Sequence, residues 1–134
     1  MSDLPELKQY WSVWATFLMY KYWGINEDCL SSTHPICAGY IADTGDAESL
    51  FDGISYGKGS SFLKLMYKVV GYETMKKGLH KYFADHSWKN TTLKDFVGCI
   101  AWAYEQDGDQ SMGEGFNFTE WCDTWLTTSG INIL

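Results

Sequence analysis

Apolar residues recur at helical spacing along most of this 134-residue chain, and glycines or capping residues punctuate the recurrences. Phe62, Leu63, Met66 and Val70 share one face of a helix predicted over 60–70, which Gly71 closes. Met75, Leu79, Tyr82 and Phe83 mark the apolar stripe of a second, over 72–86. Thr92 and Asp95 form a capping-box-like start, with Asp in place of the usual Glu, for a helix carrying Phe96, Ile100, Ala103 and Tyr104. Trp121, Cys122 and Trp125 give the last helix, over 119–128, an inward face, and Gly130 is its expected C-cap. Near the N-terminus a helix is predicted over 4–23, with Pro5 in its first turn and Gly24 as its stop. Residues 25–40 read as a loop with a short strand over 36–41, and 44–51 as one or two helical turns. The polar, glycine-containing stretch 106–115 reads as another loop. The fold class is therefore all-α, a single helical subdomain over 1–134. No internal repeat is present, and no heptad persists long enough for a coiled coil.

Composition narrows the function classes. Hydrophobic residues make up 46% and aromatics 17%, which excludes a disordered tail. The net charge of −7 argues against nucleic-acid binding. All ten cations are Lys, so no guanidinium is available to clamp a carboxylate or phosphate in bidentate fashion. The charge is unevenly spread. Residues 1–57 hold two Lys against eight acids, residues 58–94 eight Lys against two acids, and residues 95–134 seven acids and no Lys. Such blocks are either solvated helix faces or docking surface. The apolar run Tyr10–Trp23 contains Lys21 and is too short to span a membrane. The first residues are acidic rather than basic, unlike a signal peptide. Cys29, Cys37, Cys99 and Cys122 form no C-x-x-C pair and are too sparse for a disulfide scaffold, so reduced, mostly buried thiols and a cytoplasmic location are expected. The two N-x-T sequons at Asn90 and Asn117 fall at predicted helix starts, where capping accounts for them.

Few residues offer chemistry. His34, His80 and His86 form no H-E-x-x-H, so this chain is expected to bind no metal. The glycines at 53, 57 and 59 resemble a phosphate loop only loosely, because Lys58 precedes Gly59 instead of following it. Three glycines so close together imply close backbone approach or unusual φ. Among them Tyr56 stands at a loop-to-helix turn. A phenol there either aims its hydroxyl into a cleft, as a donor to an oxygen that becomes negative in a transition state, or lies half-buried on a backbone carbonyl.

Five words occur in order along the chain: Ser31-Ser-Thr-His-Pro-Ile36, then Phe51-Asp-Gly-Ile-Ser-Tyr-Gly-Lys-Gly-Ser60, then Gly78-Leu-His-Lys-Tyr82, then His86-Ser-Trp-Lys-Asn-Thr91, and finally Trp121-Cys-Asp-Thr-Trp125 with Gly130. In order and spacing they resemble the gluzincin zinc aminopeptidases of the aminopeptidase N and puromycin-sensitive type, over about residues 31–130. Departures are Gly130-Ile-Asn-Ile in place of the family's G-x-P-V ending and an acidic insert over 107–114.

The resemblance implies the helical C-terminal half of a thermolysin-like peptidase catalytic domain. It implies that Tyr56 stabilises the tetrahedral intermediate of peptide hydrolysis, with Gly57, Lys58 and Gly59 shaping its turn. It implies zinc in the complete enzyme, although the G-A-M-E-N loop, H-E-x-x-H and the ligand Glu are absent from these 134 residues. Glu27 stands too close to the Ser31–Ile36 word to be that ligand. The chain is then expected to be a fragment or subunit that contributes Tyr56 and is inactive alone. Its partners would be the missing N-terminal half or another protein subunit, with a peptide substrate in the complete enzyme. The alternative is a non-catalytic helical binding or structural module derived from the same fold.

Overall fold

A computed structural model describes residues 13–37, 39, 41–107, 112–113 and 115–131. It is helical, with no strand among the described residues. In chain order the elements are α1 (Val13–Asp28), α2 (Thr44–Ser49), a π-helical turn (Ile54–Lys58), α3 (Gly59–Val70), α4 (Tyr72–His86), α5 (Leu93–Asp107) and α6 (Phe118–Thr127). The contacts gather into two compact units, residues 1–62 with 127–134, and residues 63–126.

The first unit departs most from expectation. The predicted start of α1 at residue 4 lies outside the described residues, but its end does not. Gly24 fails to stop the helix, which runs on through Asp28. The reason is tertiary. Gly24 is buried where α1 crosses the π turn, and a β-carbon on it would stand 2.6 Å from the Lys58 backbone nitrogen. The reciprocal approach is as tight: a β-carbon on Gly57 would lie 2.4 Å from the Tyr20 carbonyl oxygen. Glycine is here a contact surface, not a breaker. Of the glycines near Tyr56, Gly53 and Gly57 therefore serve close backbone approach, one of the two expected uses, whereas Gly59 has room for a β-carbon. Among the described residues of the expected short strand, 36, 37, 39 and 41, none pairs in a ladder. The short α2 starts where expected, with Asp43 as N-cap accepting from the Asp46 backbone N–H at 2.9 Å.

The second unit follows the apolar periodicity closely. Met66, Val70, Val97, Cys99, Ile100, Ala101, Ala103, Phe118, Cys122 and Leu126 are buried. Rings from α4, α5 and α6 frame this core. Tyr82 meets Phe96 edge-on at 5.6 Å, and Tyr104 stacks on Phe118 at 5.4 Å. The α5 start is the expected reciprocal cap, with the Thr92 backbone N–H donating to Asp95 at 2.7 Å. Asn117 caps α6 by accepting from the Glu120 N–H at 3.1 Å. Both sequon regions thus sit at helix starts, as predicted.

Two apolar positions face out rather than in. Leu63 and Phe83 are exposed, and the buried edge of α4 is instead Thr74 and Gly78. On α4 the cause is the close approach of α5. A β-carbon at Gly78 would stand 2.9 Å from the Ile100 α-carbon and 3.1 Å from the Cys99 carbonyl. Gly78→Ala sets two effects against each other. Helix propensity favours Ala by about 1 kcal/mol, whereas forcing a methyl against backbone costs about 1–3 kcal/mol. The Ile100 Cδ1 atom, 2.7 Å from that position, can swing away, but the two main-chain neighbours cannot, so the clash prevails. A net loss of about 1–2 kcal/mol is expected by urea unfolding, and an unchanged or raised midpoint would contradict the packing described.

The lysine-rich middle of the chain finds part of its use within this unit. Lys81 pairs with Asp85 at 2.7 Å, and Lys77 and Lys81 both cover the ring of Trp102 at 5.3 and 5.1 Å. All four cysteines are free thiols. Cys99 and Cys122 are buried, and burial pushes the Cys122 thiol up to about 12. Cys29 and Cys37, against the expectation of mostly buried thiols, are exposed. No helix among the described residues is long and apolar enough to cross a membrane.

Candidate functional site

Tyr56 stands on the π turn, and that turn is held at both ends. At its entrance the Asp52 carboxylate accepts from the backbone N–H groups of Ile54 at 3.0 Å and Ser55 at 2.9 Å. The Asp52 carbonyl accepts from the Tyr56 N–H at 3.1 Å. Asp52 is held in turn by His34, whose Nε2 lies 2.6 Å from its second carboxylate oxygen. Glu27, projecting from α1, accepts from the Gly53 N–H at 2.6 Å and from the Trp23 indole N–H at 2.5 Å. The wide turn itself closes by donation from the Gly59 N–H to the Ile54 carbonyl, the i to i+5 bond of a π-helix.

At its exit the anchor is Lys58. Its ammonium donates to the Asp28 carboxylate at 3.0 Å and to the carbonyls of Thr128 and Gly130, both at 3.1 Å. Asp28 also accepts from the Thr33 hydroxyl at 2.7 Å and from the Gly130 N–H at 3.0 Å. The two charged side chains are only 10% and 5% exposed. An acidic residue in the last turn of α1 faces the negative end of the helix dipole. The ammonium and these two donors offset that repulsion. Gly130 is not the direct C-cap of α6, which ends at Thr127. It adopts φ +86°, presenting its N–H to Asp28 and its carbonyl to Lys58.

The tyrosine between these anchors is 46% exposed. Its ring leans on Phe51 at 6.0 Å, and its hydroxyl makes no hydrogen bond among the described residues. Of the two sequence readings of this phenol, the one bound to a backbone carbonyl is therefore not the one observed. Gly57 is buried within the turn and Gly59 closes it. Ser60 and Ser61 add donors to the Gly57 carbonyl at 3.1 and 2.8 Å.

Sequence reasoning misses the anchors: Asp28 falls in the stretch that reads as a loop, and His34 and Asp52 stand only as letters of family words. The available signals were weak: Asp52 precedes a glycine at a helix start, as N-caps do, but nothing in the chain marks its pairing with a histidine eighteen residues earlier.

The site also bears on the metal question. Among the described residues no group of three or more His, Cys, Asp or Glu side chains could hold a metal ion. The nearest approach, His34 with Asp52 and Glu27, is committed: both ring nitrogens and the carboxylate oxygens already serve Pro35, the turn and Trp23. The described residues do not fit a zinc site.

Comparison with known proteins finds the peptidase family M1 domain over residues 2–127. The chain belongs to peptidase family M1. The resemblance to gluzincin aminopeptidases read from the five words is thereby established, and the all-α architecture is that of the C-terminal helical region of the M1 domain. Aminopeptidase N of Streptomyces lividans is 39% identical over 122 residues, 90% of this chain and 13% of the relative. Probable aminopeptidase 2 of Sulfurisphaera tokodaii is 31% identical over 132 residues, 98% of this chain and 16% of the relative. The tricorn protease-interacting factor F2 of Thermoplasma acidophilum is 38% identical over 98 residues, 72% of this chain and 12% of the relative. The chain thus spans a small part of the length of each relative. The M1 matched segment includes α1, the π turn and the side chains of His34, Asp52, Asp28 and Lys58, while Thr128 and Gly130 lie just past it.

Proposed function

We propose that this chain supplies the tyrosine-bearing helical part of a zinc aminopeptidase that releases N-terminal residues from peptides. The observation that carries the reading is the Tyr56 hydroxyl, exposed and uncommitted on a turn fixed at both ends. A phenol held in this way loses little freedom when an oxygen nearby gains negative charge, which is what makes a preorganised donor effective. Lys58 takes no part in the chemistry, since its ammonium is consumed by Asp28 and two carbonyls. Its role is to fix the backbone two residues from the phenol.

Metal binding and activation of the attacking water fall to residues outside those described, on another segment or a partner subunit. The exposed apolar face of α1, with Trp14, Leu18, Met19 and Tyr22, supports such a covering partner. The four free thiols support a reducing, cytoplasmic setting.

Mixing this chain with a polypeptide that carries the M1 H-E-x-x-H segment tests the proposal. The 134-residue chain alone is expected to release no amino acid from peptide substrates and to purify without stoichiometric zinc. The mixture is expected to release N-terminal residues. Zinc bound by the chain alone would overturn the division of labour. A stable but inactive complex would favour the non-catalytic module.

A further inference from the structure

His34 is bound through both ring nitrogens. Nε2 lies 2.6 Å from an Asp52 carboxylate oxygen, and Nδ1 lies 2.8 Å from the Pro35 carbonyl oxygen. Both partners are acceptors, since a carbonyl has no proton to give and an ionised carboxylate has none either. A neutral imidazole carries one N–H and can serve only one of them. The geometry is satisfied in full only by the imidazolium, with an N–H on each nitrogen.

The consequence reaches Tyr56 in two steps. Asp52 uses one oxygen for His34 and the other for the N–H groups of Ile54 and Ser55, and its carbonyl takes the Tyr56 N–H. The ion pair therefore fixes the residue on which the first turn around Tyr56 is hung. We propose that His34 is a positioning residue for Tyr56, holding the π turn through Asp52 while protonated and loosening it on losing its proton. This deepens the proposed function and rests on it for its catalytic meaning, though the coupling itself is a property of this chain.

Electrostatics runs in the same direction. Burial disfavours charge on His34, but the bonds to Asp52 and Pro35 and the attraction of Asp52 and Glu27 outweigh it and hold the imidazole above its usual value. Asp52 is held below the usual carboxylate value: burial opposes its charge, and the Ser55 N–H, His34 and the Ile54 N–H overcome that. The charged groups acting on His34 are Asp52 at the entrance of the turn and Glu27 on α1. Asp28, bonded to the neighbouring Thr33, is matched by Lys58. The sign follows by linkage. A raised histidine contributes stability that is complete below the ordinary histidine value and is lost as pH rises through the raised one. A lowered aspartate contributes stability that is lost as pH falls through its depressed value. The latch is closed between those limits and opens on the alkaline side.

The test is a pH titration of the full 134-residue chain, labelled with 15N in histidine and 13C in the tyrosine rings, followed by NMR. His34 is expected to titrate above the ordinary histidine value, with two protonated nitrogens below it. The Tyr56 ring resonance is expected to shift with the same midpoint. In His34→Gln the side-chain amide can still donate to Asp52 but cannot titrate, so the Tyr56 shift is expected to disappear. Should that variant fail to fold by circular dichroism, Asp52→Asn gives the second reading, with the His34 and Tyr56 midpoints falling together. A neutral His34 across the range, a Tyr56 shift that persists in His34→Gln, or midpoints that part company in Asp52→Asn would each overturn the proposal. In the assembled peptidase the same latch predicts an alkaline loss of kcat with little change in KM, flattened in His34→Gln. If Tyr56→Phe leaves turnover intact, the catalytic reading fails while the NMR coupling is judged on its own.

Discussion

Tyr56→Phe in the assembled peptidase is expected to lower kcat about 100- to 1000-fold, equivalent to about 2.7–4 kcal/mol of transition-state stabilisation. The substitution removes one oxygen and leaves the ring on Phe51. No hydrogen bond within the described residues is lost, so the thermal midpoint of the chain should not move. The change should appear in kcat with KM nearly constant, because a donor to a developing oxyanion acts in the transition state and hardly at all in the ground state. Steady-state kinetics on an aminoacyl reporter substrate checks it. Turnover equal to the unaltered protein would remove Tyr56 from the chemistry. A parallel fall in stability would mean that the hydroxyl is structural after all.

The second large effect concerns Lys58. Lys58→Met is expected to destabilise the chain by about 3–5 kcal/mol, the usual cost of leaving a buried charge without its partner. The affected charge is Asp28, whose side chain is 5% exposed and would keep only the Thr33 hydroxyl and Gly130 N–H. The carbonyls of Thr128 and Gly130 would lose their donor as well. The exposed pair Lys81–Asp85, at 2.7 Å, offers the control. Asp85→Asn should hardly register, because solvent screens an exposed pair. Urea unfolding of the single variants and of the Lys58→Met, Asp28→Asn double variant completes a cycle. A loss below about 1 kcal/mol for Lys58→Met would place the pair with ordinary surface ion pairs.

These two predictions show how unevenly the chain could be read. Helices α3 to α6 were legible because burial in the second unit follows the 3.6-residue period with few exceptions. Met66, Val70, Ile100 and Cys122 lie where the spacing puts them. Phe83 broke the pattern because a glycine, Gly78, took the buried edge of α4 and let α5 approach. Caps at Thr92 and Asn117 were legible for a related reason: a cap joins residues three apart, so both partners sit in one short window.

Sequence alone determined the helical class and, through its ordered words, the family, and it singled out Tyr56 as the residue proposed for the chemistry. It could do so because periodicity, capping and motif spacing are local in the chain. Only the tertiary structure decided that Gly24 continues a helix, that Asp28 and Lys58 meet thirty residues apart, and that His34 holds Asp52. Those outcomes depend on which backbones come close enough to exclude a β-carbon and which charges are buried together. Such pairings carry no fixed spacing. The residue types that make them, glycine, aspartate, lysine and histidine, otherwise read as turns and solvated surface.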